Sequence, residues 1–189
     1  IHVKAVILVI NSPGGGVTAS DIIYRTIKEF KQKHPDKPII ALMQDTAASG
    51  GYYISCSADY VMAHPTTITG SIGVISMFFA LEDLMGKIGV ETVVIKSGKA
   101  KDTGSPFRKM TDEEKTYMQK IIDEMYNRFL DIVAEARKNS LTRDEIKTLA
   151  DGRILTGEEA RKVKLVDSVG YMTDAYNKTL DLAHLKSAK

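Results

Sequence analysis

Two glycine-rich turns each follow an apolar run of strand length, and together they could supply a nucleophile and an oxyanion hole. The first turn is residues 11–16 (NSPGGG), and the second is residues 47–51 (AASGG). Small residues around Ser49 would let a substrate carbonyl approach its hydroxyl, and backbone amides of Gly15 and Gly50 could donate hydrogen bonds to the developing oxyanion. The pair of turns therefore predicts acyl transfer by a serine nucleophile.

A serine nucleophile needs a general base, and none of the four histidines is well placed for that role. They are His2 and His184 near the chain ends, and His34 and His64, each just before a proline. His64 with Asp59 stays open as an alternative triad. Lysine is the other option, because desolvation can lower the pKa of its amine toward neutrality. The loop at residues 96–102 offers three candidates, and the residues alone do not choose among them: Lys96, Lys99 and Lys101.

Strand-length apolar runs alternate with helical patterns through the first half of the chain. Strands are predicted at residues 3–10, 38–44, 60–63, 73–79 and 90–95, with helices at residues 18–34, 49–57 and 81–88. Thr18 with Asp21 resembles a capping box at the start of the first helix. The alternation predicts an α/β fold with a mostly parallel sheet and right-handed crossovers.

The second half of the chain is predicted to be mostly helical. A polar loop at residues 96–109 precedes the longest helix, which Thr111 caps and whose apolar stripe favours core or a subunit interface over a cofactor site. Further helices are expected near residues 141–149, after a cap at Thr156, and after Gly170. We interpret residues 1–189 as a single catalytic domain, with an α/β core at 1–110 and a helical extension at 111–189.

Composition excludes several classes of function. The 26 basic and 24 acidic side chains leave a net charge of +2, and without a basic run this argues against a nucleic-acid partner. The single cysteine, Cys56, excludes an internal disulfide and a multi-cysteine metal site, and we expect it to be a small core residue. No apolar stretch reaches the ~20 residues of a membrane-spanning helix. Because the chain starts at Ile1 directly before a strand, we expect a fragment from which an upstream segment was removed.

Five sequence motifs resemble the signal peptide peptidase A family, serine peptidase family S49. They are the NSPGG turn at 11–15, DTAASGGYY at 45–53, TGSIG at 69–73, Lys101 before SPFR at 105–108, and GRILTGEEA at 152–160. The resemblance spans nearly the whole chain and implies a ClpP/crotonase-like fold of repeated β-β-α units. The related caseinolytic protease ClpP shares the two glycine turns but uses a histidine base, and no histidine lies in residues 73–79.

The resemblance also implies a role for each site residue. Ser49 would be the nucleophile, Lys101 the general base, and Ser71 a hydroxyl that orients the lysine amine, although Ser71 also fits an ordinary turn serine. Amides of Gly15 and Gly50 would form the oxyanion hole, and no metal or cofactor is implied. Specificity pockets could be lined by apolar residues that equally fit a strand core: Val74, Ile75 and Met77.

The family further implies substrates, assembly and location. Substrates would be remnant signal peptides and other extended apolar segments. Members form ring- or dome-shaped oligomers in which the serine and lysine of one site come from neighbouring subunits. An N-terminal helix anchors them to the cytoplasmic membrane with the catalytic domain outside, and we expect that anchor to be missing from this fragment.

Two other functional classes stay open. A crotonase-type acyl-CoA enzyme would use the same oxyanion geometry on a thioester but would not need the pair Ser49 and Lys101. A catalytically silent scaffold would keep the fold for assembly alone, and the presence of Ser49, Lys101 and Ser71 together argues against it. Labelling of Ser49 by a fluorophosphonate would discriminate among the three classes.

Overall fold

The protein, represented by a computed structural model, is described for residues 3–186, which divide into two units. The first unit comprises the residues up to Gly73 together with those from Asn127 onward, and the second unit is Val74–Tyr126. One long helix, Asp112–Arg137, runs from the second unit into the first.

A six-stranded sheet organises the described residues of the first unit. Its strands are β1 (Val6–Ser12), β2 (Ile39–Ala48), β3 (Tyr60–Ala63), β4 (Ile68–Gly70), β5 (Ile154–Thr156) and β6 (Ser168–Val169). The order is β5-β4-β2-β3-β6, with β1 also paired to β2, and every pairing is parallel except β4 with β5. The predicted α/β class with a mostly parallel sheet is confirmed.

The described part of the first unit also contains helices, and several of them contact this sheet. They are α1 (Val17–Lys33), α2 (Gly50–Ser55), the later part of α4 (Asp112–Arg137), α5 (Arg143–Leu149), α6 (Gly157–Lys162) and α7 (Met172–Leu182). The first five residues of β2 are buried, as expected for a central parallel strand covered on both faces. Ile40 and Leu42 pack with Met62 and with Ala175 of α7. β2 is therefore the core strand that carries the second glycine turn.

A register break lets the two glycine turns start side by side. Ile10 is paired with Met43, whereas Ser12 is paired with Ala47, so β2 carries extra residues at this point. The Thr46 amide donates to Oδ1 of Asn11 at 3.2 Å, which satisfies a backbone group that the bulge removes from the ladder. Because β1 and β2 are parallel, both turns leave the same edge of the sheet.

Several predicted boundaries are corrected by the structure. β1 begins at Val6 rather than residue 3, and β2 continues to Ala48 rather than ending at residue 44. α1 starts after Gly16 without a side-chain cap, so the predicted capping box of Thr18 and Asp21 is wrong. The caps predicted at Thr111 and Thr156 are confirmed, since both hydroxyls accept from the backbone amide three residues later.

The second unit contains α3 (Glu82–Lys87) and the first turns of α4. The strands predicted at residues 73–79 and 90–95 are wrong, because neither segment has a ladder partner among the described residues. Their apolar side chains are correspondingly exposed, with Ile95 reaching 98% exposure. A strand requires a hydrogen-bonding neighbour as well as a β-type pattern. Across residues 3–186, no helix combines the length and hydropathy needed to span a bilayer.

Candidate active site

The carboxyl ends of β1, β2 and β4 meet at one edge of the sheet, and the candidate nucleophile lies there. Ala48 is paired with Gly70, so Ser49 and Ser71 are the first residues beyond two neighbouring parallel strands. The Ser49 amide donates to the Gly70 carbonyl at 2.9 Å, and the Ser71 amide donates to the Arg153 carbonyl at 2.7 Å. The structure therefore brings together the two serines that the sequence analysis selected.

Both serines have backbone conformations that residues with a Cβ rarely adopt. Ser49 has φ 51° and ψ −117°, and Ser71 has φ 50°. Such conformations cost on the order of 1–3 kcal/mol each and persist where the surrounding structure imposes them, often at functional sites. Ser49 lies in the sharp turn from β2 into α2, which is the position of the serine in a nucleophile elbow. Its hydroxyl has no hydrogen-bond partner among the described residues.

The two glycine turns touch backbone to backbone, which explains their glycines. A Cβ on Gly14, which has φ 107°, would lie 2.8 Å from the Gly50 nitrogen and 2.9 Å from Cβ of Ser49. A Cβ on Gly51 would lie 2.7 Å from the carbonyl oxygen of Ser12. Larger residues would thus force the first turn away from the nucleophile. Close contact of the turns fixes Ser49 relative to the first turn.

Two backbone amides beside Ser49 are free to bind an oxyanion. Gly15 forms no hydrogen bond through its amide to another described residue, and it is exposed. Gly50 is the first residue of α2, where amides have no acceptor within the helix. A Cβ on Gly50 would lie 3.3 Å from the Gly15 nitrogen, so the two amides belong to adjacent segments. The backbone amides of Gly15 and Gly50, which were predicted as oxyanion donors, therefore both lie close to Ser49.

An aromatic and ionic cluster fixes helix α2 behind the nucleophile. The Tyr53 hydroxyl donates to the Asp21 carboxylate, which also pairs with Arg128 at 3.1 Å. The Tyr53 ring contacts Tyr24 edge-on at 5.5 Å and Phe129 at 5.0 Å. The hydrogen bond from Tyr53 lowers the pKa of Asp21, while burial raises the pKa of Tyr53. This cluster, which sequence analysis missed, joins α2 to α1 and α4.

The opposite side of α2 is buried in the first unit. Tyr52 is fully buried, and its hydroxyl donates to the Leu165 carbonyl at 2.7 Å. Cys56 is buried too, and desolvation raises its pKa to about 12, which confirms it as a core residue. Nearby, the 5% exposed Arg137 pairs with Asp167 at 2.9 Å. These contacts leave α2 little freedom to move Ser49.

Threonine hydroxyls link the segment of β4 to β2 by hydrogen bonds, and β4 in turn positions Ser71. Thr69 is fully buried and donates to the Ala47 carbonyl at 2.7 Å, while Thr67 donates to the Gln44 carbonyl at 2.5 Å. A Cβ on Gly70 would lie 2.9 Å from the Arg153 carbonyl oxygen, so β5 also approaches closely. These side-chain hydrogen bonds thus add to the short ladder between β4 and β2. Thr69 belongs to the motif at residues 69–73, where it was given no role, and Thr67 was not singled out in the sequence.

The candidate base lies in the second unit. Lys101 is exposed in a turn, where its amide donates to the Gly98 carbonyl at 3.1 Å. Of the three candidate lysines, Lys96 pairs with Asp102 at 2.7 Å and Lys99 pairs with Glu113 at 3.3 Å. No carboxylate within the described part of the chain pairs with the Lys101 ammonium. Lys101 is therefore the one of these three whose amine is not engaged by an acid.

The candidate pocket residues also lie in the second unit. Val74 is half-buried, whereas Ile75 and Met77 are each 77% exposed. None of them belongs to a strand, so the alternative interpretation as strand core is wrong. Their exposure leaves apolar side chains available for contact with another molecule.

The histidine alternative is not supported by the geometry. Asp59 accepts from the Ile39 amide at 2.8 Å and pairs with Lys31 at 2.6 Å. The centroid of the His64 ring lies 5.4 Å from that of the Tyr171 ring. The Nε2 atom of His64 has no hydrogen-bond partner among the described residues. His64 and Asp59 therefore do not form the open alternative pair. His34 follows α1 and contacts Phe30, His184 lies in a turn after α7, and His2 falls outside the described residues.

Comparisons with known proteins identify the family of this chain. Residues 31–186 match the sequence profile described as peptidase family S49. The chain is 45% identical over 185 residues to a provisionally named protease of Methanocaldococcus jannaschii, covering 98% of this chain. It is 42% identical over 173 residues to a provisionally named signal peptide peptidase SppA of Enterococcus faecium, covering 92%. It is 40% identical over 173 residues to the chloroplastic serine protease SPPA of Arabidopsis thaliana, covering 91%. The chain spans 58%, 49% and 25% of those proteins, respectively.

Proposed function

The chain belongs to peptidase family S49, and we propose that it hydrolyses peptide bonds with Ser49 as nucleophile and Lys101 as general base. One observation carries the proposal: Ser49 is held in a strained strand-to-helix turn against a glycine turn, with two uncommitted amides beside it. A serine hydroxyl next to backbone donors is what acyl transfer requires. The serine protease of Arabidopsis supports the choice of a serine mechanism.

The proposed reaction follows from these groups. The neutral Lys101 amine takes the proton of the Ser49 hydroxyl, and the serine oxygen bonds to the peptide carbonyl carbon. Amides of Gly15 and Gly50 stabilise the oxyanion, and the intermediate collapses as the lysine ammonium returns its proton to the leaving amine. Water then hydrolyses the acyl-enzyme by the same proton path, which restores Ser49. Ser71, directly beyond the paired strand, would orient the amine through its hydroxyl.

We propose that the active site is shared, with Lys101 contributed by a neighbouring subunit to each Ser49. The family resemblance implies this arrangement, and the exposed apolar residues of the second unit support an oligomer because such side chains mark interaction sites. Substrates would be extended apolar peptides, including remnant signal peptides, in agreement with the name of the Enterococcus relative. A membrane anchor and an extracytoplasmic location belong to the same proposal.

Mixing two inactive variants tests the nucleophile, the base and the shared site together. Ser49→Ala and Lys101→Ala should each abolish cleavage of a fluorogenic apolar peptide while keeping the native circular dichroism spectrum. After subunit exchange at a one-to-one ratio, about a quarter of the sites would combine an intact serine with an intact lysine. We therefore expect recovery of roughly a quarter of wild-type activity.

Each other outcome points to a different error. No recovery despite demonstrated exchange would place both residues of a site in one chain. Full turnover by Lys101→Ala would exclude this lysine as the base, and unchanged turnover by Ser49→Ala would exclude the serine mechanism. A fluorophosphonate that labels wild type but not Ser49→Ala argues against both an acyl-CoA enzyme and a silent scaffold.

A further inference from the structure

All five N–H donors of Arg108 are used within the second unit. Its Nε and one terminal nitrogen bind both oxygens of Asp102 at 3.0 and 2.8 Å. Its two terminal nitrogens bind both oxygens of Glu114 at 2.8 and 2.5 Å, and one of them also donates to the Lys109 carbonyl at 3.1 Å. A planar guanidinium is the only side chain with enough donors for two bidentate carboxylates. Arg108 thus joins two acidic side chains across a loop.

One of the two carboxylates belongs to the loop that carries Lys101, and the other belongs to the helix that follows this loop. Asp102 is the residue directly after Lys101. Glu114 lies in the first turn of α4, where it accepts from the Thr111 amide at 2.9 Å and from the Thr103 hydroxyl at 2.9 Å. Both residues that follow Lys101 are therefore attached to the start of a 26-residue helix.

The backbone around Lys101 is held by consecutive turns as well. The amides of Lys101, Thr103 and Ser105 donate to the carbonyls three residues earlier at 3.0–3.2 Å. Lys96 donates to the Lys99 carbonyl at 3.0 Å and pairs with Asp102. This polar segment has no buried apolar side chain to fix it, so the Arg108 contacts supply the order that packing supplies elsewhere.

The same contacts occupy one acid of this loop and two acids in the first turn of α4. Asp102 is bound by Arg108 and Lys96, Glu114 is bound by Arg108, and Glu113 is bound by Lys99. Hydrogen bonds from Arg108 hold the pKa values of Asp102 and Glu114 well below their usual range, so both stay ionised and paired. An unpaired carboxylate beside a lysine favours the ammonium form, which cannot accept a proton.

We propose that Arg108 is a positioning residue for the general base: it clamps Asp102 to Glu114 and thereby fixes the turn that presents Lys101. This inference rests on the proposed role of Lys101. Lysine could not replace Arg108, because an ammonium has three donors around one nitrogen and cannot bind two carboxylates bidentately. The clamp acts through the backbone of residues 101–103 and does not need to contact substrate.

The test compares Arg108→Ala and Arg108→Lys with Lys109→Ala as the matched control. Lys109 is adjacent, and its ion pair with Asp83 at 3.0 Å is largely exposed, so its removal should change little. Hydrogen exchange of the amides of Lys101, Thr103 and Ser105 reports the clamp itself. We expect these amides to exchange at least tenfold faster than in wild type in both Arg108 variants. In the Lys109→Ala control we expect their exchange rates to equal those of wild type.

Steady-state kinetics on an apolar peptide report the catalytic consequence. We expect kcat to fall tenfold to a hundredfold in Arg108→Ala, with KM within a factor of two, because only the proton-transfer geometry is loosened. Millimolar guanidinium should partly restore kcat in Arg108→Ala but not in Lys101→Ala. A purely stabilising role of Arg108 would lower the melting temperature without this rescue.

The possible failures are distinguishable. Unchanged exchange in either Arg108 variant would overturn the clamp, and if the alanine variant does not fold, the lysine variant answers the same question. Faster exchange with unchanged kcat would overturn the positioning role while leaving the base assignment intact. Full turnover by Lys101→Ala would instead refute the proposed function, whatever the Arg108 variants do.

Discussion

Replacing Gly14 with alanine should damage catalysis although it leaves every proposed catalytic group in place. The new Cβ would lie 2.8 Å from the Gly50 nitrogen and 2.9 Å from Cβ of Ser49, whereas ordinary contacts begin near 3.4 Å. Relief therefore requires the two turns to separate by about 0.6 Å, the difference between 3.4 and 2.8 Å. The residues displaced are the nucleophile and one proposed oxyanion donor.

The magnitudes follow from strain and geometry. Alanine at φ 107° costs on the order of 1–3 kcal/mol, and overpacking adds about 1–3 kcal/mol. Together these costs are about 2–6 kcal/mol, and the middle value of about 4 kcal/mol corresponds to a decrease of roughly 8–16 °C in melting temperature for a chain of this size. A 1 Å misplacement costs about a hundredfold in rate, so about 0.6 Å should lower kcat at least tenfold.

The control is alanine at Gly16 in the same turn. Gly16 has φ −60°, and a Cβ there would meet no atom within 4 Å. The Gly16→Ala variant keeps the backbone amide and changes only a helix cap. We therefore expect a loss of stability of less than about 1 kcal/mol and near-normal turnover. The assay is turnover of a fluorogenic apolar peptide, with melting followed by circular dichroism. Turnover by Gly14→Ala within threefold of Gly16→Ala, with both folded, would refute the close contact of the two turns.

Two further predictions follow from buried titratable groups. Because desolvation raises the pKa of Cys56 to about 12, only about one thiol in 10⁴ is ionised at pH 8. A thiol-specific disulfide reagent should therefore react with Cys56 only after denaturation. Rapid reaction of the native protein would show that Cys56 is accessible. Burial raises the pKa of Tyr24 to about 12, and it raises the pKa values of Tyr52 and Tyr53 as well. In the unfolded chain these phenols ionise near pH 10, whereas in the folded protein they stay protonated to higher pH. Their contribution to stability is therefore complete below about pH 10 and is lost as the pH increases toward 12. The free energy of unfolding from urea titrations should therefore fall between pH 10 and 12, and a constant value over that range would contradict the burial of these phenols.

The sequence predicted the parts of the fold that local patterns determine. β3 was predicted with its observed bounds, and β1 was recognised from a nearly continuous apolar run at residues 3–10. The helix caps at Thr111 and Thr156 were equally readable, because a capping box is a pattern of side chains four residues long. The proposed nucleophile and oxyanion glycines were selected from the same local signals.

Elements that depend on distant partners could not be predicted in this way. β4, β5 and β6 have two or three residues each, too few to show a period of two. They exist because they pair with strands far away in sequence, β4 with β2 and β5, and β6 with β3. Residues 73–79 and 90–95 show the opposite case. They have strand-like composition, but no described segment pairs with them, so the pattern alone gave the wrong answer.

The choice among the three lysines shows what the structure adds to a motif. In sequence, Lys96, Lys99 and Lys101 are equivalent, and only the family resemblance favours the last. In the structure, Lys96 and Lys99 each bind a carboxylate, whereas no carboxylate of the described residues pairs with the Lys101 ammonium. A general base must be free to lose its proton, and a salt bridge opposes that. Pairing of the other lysines is therefore a physical reason, independent of resemblance, to assign the base to Lys101.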